Sequence, residues 1–250
     1  RKKSSREKIV VVMPAYNAEK TLKKTLDDIP KGVVDDIILV DDGSHDKTVN
    51  LAKKLGLKTF VHPQNRGYGG NQKTCYTLAL NENADIIVMI HPDYQYDSSL
   101  TEEIIRPILQ KRFDMVLGSR IRSRSEALAG GMPLYKYLFN RFLTIIQNIV
   151  LDQNLSEYHT GFRAFHKNVL KSLPFHKFSD DFVFDQDILV SGIYSGFRIG
   201  EIHVPVRYFP DASSINFRRG IKYGLEIIKD LCLYALAKSN IYTSGIFAKK

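Results

Sequence analysis

The chain has 250 residues, enough for one large domain or two small ones, and its 44% hydrophobic and 25% charged residues are ordinary for a globular protein. A net charge of +9 favours an anionic partner such as nucleotide phosphates, nucleic acid or an acidic membrane surface. No apolar run reaches the roughly 18 residues that a membrane span requires. The two cysteines, Cys75 and Cys232, lack metal or disulfide spacing and predict buried thiols in a reducing, cytoplasmic compartment.

Strands and helices are predicted to alternate along the first half of the chain. Short apolar, β-branched runs predict strands, and helical spacing with cap residues predicts helices. In chain order we expect a strand at 9–13, a helix at 18–29, a strand at 36–41, a helix at 44–55 capped by Ser44, a strand at 58–62, a helix at 67–81, a strand at 86–90, a helix at 99–111 and a strand at 115–119. This alternation predicts an α/β protein with a mostly parallel sheet and helices on both faces.

The pattern changes after residue 119. Residues 120–132 are rich in arginine and glycine and predict a mobile loop. A helix at 135–151, a strand-like stretch at 197–209 and an amphipathic helix at 217–236 follow. We expect a basic arm at 1–8, a main domain at 9–210, and a C-terminal basic loop and amphipathic helix at 211–250, rather than two independent cores.

Three of the predicted parallel strands end in polar residues. Residues 14–17 follow the first strand, residues 41–44 end the second, and residues 91–93 end the fourth. Ligands of open α/β sheets bind at the carboxyl ends of the strands. The three segments together therefore predict a binding pocket along this edge.

These motifs resemble those of the family 2 glycosyltransferases of GT-A fold. The resemblance rests on Pro-Ala-Tyr-Asn at 14–17, Val-Asp-Asp-Gly-Ser at 40–44 and the Asp-containing motif at 91–93. Leu-Gly-Ser-Arg at 117–120, Thr-Gly-Phe-Arg-Ala-Phe at 160–165 and Gly-Glu-Ile-His-Val-Pro-Val at 200–206 look like the dolichol/polyprenyl-phosphate sugar transferase branch. The resemblance covers about residues 9–210.

The resemblance implies a nucleotide diphosphate sugar, UDP- or GDP-linked, as the donor. Asp42 would accept a hydrogen bond from the base or ribose, although an acid at a helix N-terminus is an alternative reading. The glycines that follow Arg66 would let the backbone approach the donor, or simply form a helix-entry turn. The residues expected to bind the donor are Pro14, Ala15, Tyr16, Asn17, Asp42, Arg66, Gly67, His91 and Asp93.

The resemblance also implies a divalent metal, Mg²⁺ or Mn²⁺. The family motif after the fourth strand is usually Asp-x-Asp, and here His91 replaces the first Asp while Asp93 remains. Asp93, Gln95 and His91 are the expected ligands. Mg²⁺ prefers oxygen ligands and Mn²⁺ tolerates imidazole better. His91 alternatively bonds a phosphate without touching metal.

The expected acceptor is a polyprenyl phosphate at a membrane surface, with the protein peripheral to the membrane. The residues expected to hold the acceptor phosphate are Arg120, Arg163, Arg207, Arg218 and Arg219. Arg163 is alternatively part of a structural salt bridge. The apolar stripe of the last helix either lies on a bilayer or packs on the sheet.

The predicted reaction is inverting, metal-dependent transfer of a hexose, with Asp93, Asp187 and Arg163 as catalytic candidates. An ionised lipid phosphate needs no general base, so Asp185 or Asp187 would position the donor sugar or only begin a helix. Transfer to a saccharide hydroxyl, with Asp187 as base, is an alternative. A non-catalytic nucleotide- or RNA-binding module is another, but no nucleic-acid motif is recognisable, and we expect no nucleic-acid partner.

Overall fold

The computed structural model describes residues 6–205, 217–242 and 244–247. Its strands form one sheet in the order β3-β2-β1-β4-β6-β5-β7. They are β1 (Ile9–Ala15), β2 (Asp36–Asp41), β3 (Lys58–Val61), β4 (Ile86–Met89), β5 (Met115–Ser119), β6 (Arg163–His166) and β7 (Ile199–His203). Only β6 runs antiparallel to its neighbours among the strands of the described residues. The predicted mostly parallel α/β sheet is confirmed.

Helices cover both faces of the sheet. In the described ranges they are α1 (Leu22–Asp27), α2 (Thr48–Lys54), α3 (Gly67–Asn81), α4 (Thr101–Leu109), α5 (Arg124–Ala129), α6 (Leu134–Leu151), α7 (Lys167–Ser172), α8 (Phe184–Tyr194) and α9 (Phe217–Lys238). Alternate residues of β1 belong to different cores: Val12 packs in the cluster of Tyr76 and Phe184, and Val11 in that of Leu22 and Ile104. Burial on both faces explains why β1 is apolar throughout.

Two local predictions are wrong for identifiable reasons. Residues 124–129 form α5, whose N-terminus is capped because Ser123 Oγ accepts a hydrogen bond from the backbone N–H of Glu126. Ser44 does not cap α2, which begins at Thr48; its hydroxyl oxygen instead accepts a hydrogen bond from the backbone N–H of Asn17. Ser44 therefore joins the loops that follow β1 and β2.

The second half of the chain returns to the same sheet. β6 and α7 are not predicted from the sequence, and β7 is shorter than the predicted strand, whose last residues lie outside the described ranges. Helix α9 packs against α6 and α8. The proposed division at residue 210 falls outside the described residues and stays a prediction. Cys75 is buried as predicted, but Cys232 is exposed on α9.

None of the helices in the described ranges is both long and apolar enough to cross a membrane.

Candidate active site

A cavity of about 370 Å³ opens beside the carboxyl end of β4. The loop after β4, the start of α3, the loop after β5, the segment before β6 and the helices α6, α8 and α9 all contribute to its wall. Its lining includes Tyr68, His91, Asp93, Gln95, Tyr96, Arg120, Met132, Tyr135, Lys136, Phe139, Asn140, Leu143, His159, Thr160, Gly161, Phe182, Asp185, Gly220, Ile221 and Tyr223. The cavity therefore combines acidic, basic and apolar walls.

The loop after β4 supplies the predicted metal ligands to this cavity. His91, Asp93 and Gln95 all line it, so the structure brings them together as predicted. The turn is held by a 3.1 Å hydrogen bond from the Gln95 backbone N–H to Asp93 Oδ1, and Tyr94 adopts a φ of 61°. A non-glycine residue in the left-handed region is unusual and is found at functional sites more often than elsewhere.

Asp185, at the start of α8, is tied to this loop through Tyr68. The Tyr68 hydroxyl donates to Asp185 Oδ2 at 2.7 Å and lies 3.2 Å from His91 Nε2, while Gln72 Nε2 donates to Asp185 Oδ1 at 3.1 Å. Burial, followed by the charge of Asp185, raises the pKa of Tyr68, so the phenol stays protonated. Burial lowers the pKa of His91, which favours the neutral imidazole.

Arg163 occupies a different position from the one predicted. Its side chain is 0% exposed, and its guanidinium donates to the backbone carbonyls of Thr160, Asp185 and Tyr158 at 2.6, 2.7 and 3.0 Å. It also lies 3.7 Å from Asp185 Oδ2. Because these groups take its donors, Arg163 does not reach an acceptor phosphate here. These contacts hold the segment before β6 against α8 and favour the structural alternative, and a role for Arg163 in catalysis or acceptor binding stays a prediction.

Basic residues form another part of the cavity wall. Arg120 forms a salt bridge with the buried Glu157, which also accepts a 2.8 Å hydrogen bond from Asn140 Nδ2. Burial alone would raise the pKa of Glu157, but the charge and hydrogen bonds of Arg120 outweigh it and lower that pKa. Lys136 lines the same wall, and burial and the charge of Arg120 lower its pKa. Glu157 balances the charge of Arg120, and an anion bound beside Lys136 would offset the effects that lower the Lys136 pKa.

His159 and Tyr223 close the cavity from the side of α9. Tyr223 lies on α9, with its hydroxyl 3.1 Å from His159 Nδ1. Burial lowers the pKa of His159 to about 4, so this imidazole is neutral near pH 7. The contact makes α9 part of the site rather than a separate appendage.

The residues after β1 and β2 form a second group at the same sheet edge, outside the cavity wall. Pro14 and Ala15 are buried in β1, whereas Tyr16 is exposed and packs edge-on against His45. Asn17 Oδ1 accepts a 2.9 Å hydrogen bond from the His45 backbone N–H. Donor binding by these residues stays a prediction.

Asp42 makes contacts that the sequence did not predict. Its buried carboxylate accepts hydrogen bonds from His62 Nδ1 at 2.7 Å and from the backbone N–H groups of Arg66 and Gly67 at 2.8 and 3.1 Å. These contacts fasten the end of β2 to the start of α3. In this arrangement Asp42 has protein partners where a nucleoside was expected, and the Arg66 side chain donates to Thr74.

The glycines at the start of α3 allow another segment of the protein backbone, rather than a ligand, to approach the helix closely. A Cβ on Gly67, whose φ is +82°, would lie 2.8 Å from the Asp180 carbonyl oxygen, and one on Gly69 would lie 2.4 Å from that of Ser179. The Gly69 N–H donates to Asp180 O at 2.8 Å. The helix-entry turn is therefore the alternative that these contacts favour.

Asp187, one of the predicted catalytic residues, does not line the cavity. It accepts a 2.8 Å hydrogen bond from the Ser179 backbone N–H and forms a carboxyl pair with Asp230 of α9. Burial raises the pKa of Asp187, and burial and Asp187 together raise that of Asp230 to about 8. The pair shares a proton near pH 7 and fastens α9 to α8.

Asp230→Asn is expected to reduce the loss of stability that accompanies rising pH. The folded-state pKa of about 8 exceeds the ordinary value of 3.8, so the folded state binds the proton more tightly and stability falls as pH rises between these values. Between pH 5 and pH 8.5, the Tm of the wild type should fall further than that of Asp230→Asn. Each kcal/mol lost from the free energy of unfolding should lower the Tm by about 2–4 °C. Glu103→Gln, at an exposed position on α4, is the control, and an equal drop in Asp230→Asn would contradict the assignment.

The remaining predicted acceptor residues are only partly described. Arg207 lies outside the described residues, as does the side chain of Arg218. Arg219 is exposed on α9, next to the cavity residue Gly220. Their contact with an acceptor phosphate stays a prediction.

Comparison with known proteins identifies the family. Residues 10–173, well over half of the chain, match the sequence model of glycosyl transferase family 2. The chain is a family 2 glycosyltransferase. The predicted resemblance is confirmed, and so is the prediction that the protein is a glycosyltransferase.

Relatives of this glycosyltransferase span nearly its whole length. An uncharacterized protein of Methanocaldococcus jannaschii is 31% identical over 226 residues, which are 90% of this chain and 92% of the relative. The UDP-N-acetylglucosamine–dolichyl-phosphate N-acetylglucosaminyltransferase of Methanococcus voltae is 28% identical over 247 residues, covering 92% and 97% of the two chains.

The glycosyltransferase also resembles solved structures. Glucosyl-3-phosphoglycerate synthase from Mycobacterium tuberculosis, in complex with Mn²⁺, UDP and phosphoglyceric acid, superposes with a TM-score of 0.68 at 20% identity. The match covers 96% of this chain and 81% of the synthase. It confirms the predicted GT-A fold.

Several cavity residues of the glycosyltransferase were missed in the sequence. Lys136 and Asn140 lie in a helix that we predict only from its apolar residues. Tyr68 follows a glycine in the segment that we interpret either as an approach to the donor or as a helix-entry turn. The position of an aromatic residue within a glycine-rich helix entry is the sequence feature that could have indicated Tyr68 as a site residue. Lys136 had no such signal, because its neighbours in the cavity come from distant parts of the chain.

Proposed function

We propose that the enzyme catalyses inverting, metal-dependent transfer of a hexose or N-acetylhexosamine from a nucleotide diphosphate sugar to a polyprenyl phosphate at a membrane surface. The observation that carries this proposal is the composition of one cavity. Asp93 and His91 line one wall, Arg120 and Lys136 line another, and exposed apolar side chains of α6 and α9 surround its mouth. The UDP-dependent relative from Methanococcus voltae favours a UDP-linked donor.

The residues after β4 fit a divalent metal bound together with the donor diphosphate. No group of three or more His, Cys, Asp or Glu side chains forms a metal cage within the described residues. Mg²⁺ and similar ions commonly bind through one or two protein ligands plus substrate phosphates. Asp93, His91 and Gln95 would hold the ion. When bound, it neutralises negative charge on the diphosphate leaving group.

The cationic wall fits the acceptor phosphate. Arg120 is oriented by Glu157 and by the His159 carbonyl, to which it donates at 2.5 Å. Lys136, in the first turn of α6, lines the same wall, where burial and the charge of Arg120 lower its pKa. A phosphate would offer several acceptor oxygens to these two cations at once.

The acidic residues of the cavity favour an acceptor that is already ionised. A hydroxyl acceptor needs a general base, but Asp185 already accepts hydrogen bonds from Tyr68 and Gln72, and Asp187 lies outside the cavity. We assign Asp93 to the metal. A lipid phosphate, which loses its first proton well below pH 7, attacks without such a base. These placements weaken the alternative of a saccharide hydroxyl acceptor.

An apolar face beside the cavity mouth supports a lipid acceptor. Helix α6 exposes a row of apolar side chains at helical spacing: Leu134, Tyr135, Leu138, Phe139, Phe142, Ile145 and Ile149. Helix α9 adds Ile221, Leu225, Ile228 and Leu236, so four of the five residues of its predicted apolar stripe are exposed and only Leu231 is buried. Exposed apolar patches of this extent mark interaction surfaces.

The apolar face is continuous with the cavity. Tyr135, Phe139 and Ile221 are exposed to solvent and also line the cavity wall. A polyprenyl chain in a bilayer would thus meet apolar side chains on the path from the membrane to Lys136. Amphipathic helices with basic flanks bind membrane surfaces in this way.

Replacing Phe142 and Leu225 with serine is expected to weaken vesicle binding about tenfold or more, because burying each such side chain contributes ~1.5–3 kcal/mol. Co-sedimentation with vesicles of anionic phospholipid measures the partition. Phe60→Ser on β3 is the matched control, because Phe60 is 43% exposed but lies away from the cavity. Equal partition of the double variant and the wild type would mean that this face binds something other than a membrane.

A product assay tests the proposed function. The enzyme is incubated with Mn²⁺, each of a panel of UDP- and GDP-sugars, and either polyprenyl phosphate in detergent or a saccharide acceptor. Mass spectrometry should detect a glycosylated polyprenyl phosphate together with an equal amount of the nucleoside diphosphate. Formation of product only on added saccharides, and never on the lipid phosphate, would favour the alternative acceptor.

A further inference from the structure

Tyr68 links two groups of the cavity through a single hydroxyl. Its oxygen lies 2.7 Å from Asp185 Oδ2 and 3.2 Å from His91 Nε2. A phenol has one proton to donate. Since a carboxylate only accepts, that proton points to Asp185, and the Tyr68 oxygen is left as an acceptor for His91.

The contact therefore determines the tautomer of His91. For Nε2 to bond the Tyr68 oxygen it must carry the proton, so in the neutral imidazole Nδ1 carries the lone pair. The ring is held in place by stacking on Tyr68, with centroids 5.3 Å apart and an interplanar angle of 6°. A Cβ on Gly161 would lie 2.9 Å from Nε2, so only glycine leaves room for the imidazole there.

We propose that Asp185 and Tyr68 are positioning residues that fix His91 as an Nδ1 metal ligand, and that this ligand makes the site select Mn²⁺ over Mg²⁺. The proposal rests on the proposed function, in which the loop after β4 binds a metal with the donor diphosphate. It concerns this chain in particular, because the motif here begins with histidine where the family motif usually has aspartate.

The physical basis is the chemistry of the ligands. Mg²⁺ strongly prefers oxygen ligands, whereas Mn²⁺, a first-row transition metal, tolerates an imidazole ligand better. A histidine that ligates metal usually donates its other ring N–H to a neighbouring acceptor, which orients the ring and raises its basicity. Here the acceptor is a phenol oxygen that is itself hydrogen-bonded to a carboxylate. Gln72 Nε2 donates to Asp185 in turn, so the carboxylate that orients Tyr68 is itself held in place.

The first experiment detects the predicted bond directly. Electron spin echo envelope modulation of Mn²⁺ bound to the wild-type enzyme with UDP or GDP should show coupling to a histidine nitrogen. His91→Asp should still bind Mn²⁺ but lose this coupling, and its Mn²⁺/Mg²⁺ affinity ratio should fall about tenfold or more. Bound Mn²⁺ without nitrogen coupling in the wild type would overturn the inference while leaving the proposed function standing.

A second pair of variants tests the positioning role. Tyr68→Phe keeps the stacked ring and removes only the hydroxyl, and Mn²⁺ affinity measured by electron paramagnetic resonance should fall about 10–100-fold. Tyr158→Phe is the matched control, because Tyr158 is also buried but its hydroxyl donates to Asn148 Oδ1 at 2.8 Å, outside the chain of contacts that reaches His91. Equal Mn²⁺ affinity in Tyr68→Phe and Tyr158→Phe would overturn the positioning role. No Mn²⁺ binding by the wild type with either nucleotide would overturn the proposed metal site and this inference together.

Discussion

Asp93→Asn is expected to abolish Mn²⁺-dependent binding of UDP, with a loss of about 100-fold or more in affinity, because loss of a ligand exceeds the 10–100-fold effect of its outer partners. Asp93 follows β4, lines the cavity and provides the one carboxylate that we assign to the metal. Asparagine keeps the shape and the oxygen that accepts the Gln95 backbone N–H, but removes the charge. The fold should therefore survive.

Isothermal titration with UDP, in the presence and absence of Mn²⁺, measures this effect. Asp97→Asn is the matched control, since Asp97 belongs to the same loop but caps the turn at Ser98–Leu100 and does not line the cavity. Asp97→Asn should bind UDP like the wild type. If Asp93→Asn also retained the wild-type affinity, Asp93 would not belong to the metal–diphosphate site.

Lys136→Ala is expected to raise the acceptor KM about tenfold or more while changing the donor KM little. A hydrogen bond to a charged group contributes ~1.5–3 kcal/mol, and Lys136 lines the cationic wall away from the loop after β4. The two KM values are measured by varying polyprenyl phosphate at saturating donor, and then the donor at saturating acceptor.

Lys53→Ala provides the control for the change in net charge. Lys53 is exposed on α2 and does not line the cavity, so its loss should leave both KM values unchanged. A donor KM that rises as much as the acceptor KM in Lys136→Ala would place Lys136 at the diphosphate instead. If both KM values were unchanged in Lys136→Ala, Lys136 would be a solvated surface residue that contacts neither substrate.

The sequence predicts the first half of the fold well because each element there carries its own signal. β1, β2 and β4 are short, continuous apolar runs, which is typical of strands buried on both faces. β6 has only four residues, including the charged Arg163 at its start, so it gives no such pattern. Its place between β4 and β5 arises from pairing with strands that are distant in sequence.

Residues of the cavity could be predicted from the ends of strands more readily than from positions on helices. The prediction that the loop after β4 would gather His91, Asp93 and Gln95 follows from the direction of a parallel strand, and the structure agrees. Asp185 and Asp187 differ because residues two apart on a helix point about 200° apart. The first faces the cavity and the second faces Asp230, and the sequence alone did not fix the phase of α8.

The contacts of several buried charged residues could not be predicted from the sequence. Arg163 looked suited to an anion, but the three backbone carbonyls around it are visible only in the folded chain. Asp42 likewise lies at the expected sheet edge, yet His62 and two backbone N–H groups take its oxygens. We assign Lys136 to the acceptor phosphate because α6 lines the same cavity as the loop after β4.

The choice of acceptor tests the central claim most directly. Initial rates of sugar transfer are compared for polyprenyl phosphate and for saccharide acceptors of matched concentration, with the same UDP-sugar and Mn²⁺. Since the cavity pairs a cationic wall with an apolar mouth and lacks Asp187, we predict that kcat/KM for polyprenyl phosphate exceeds that for any saccharide by about 100-fold or more, as a site built for a charged group should discriminate. A saccharide acceptor used as efficiently as the lipid phosphate would contradict the account.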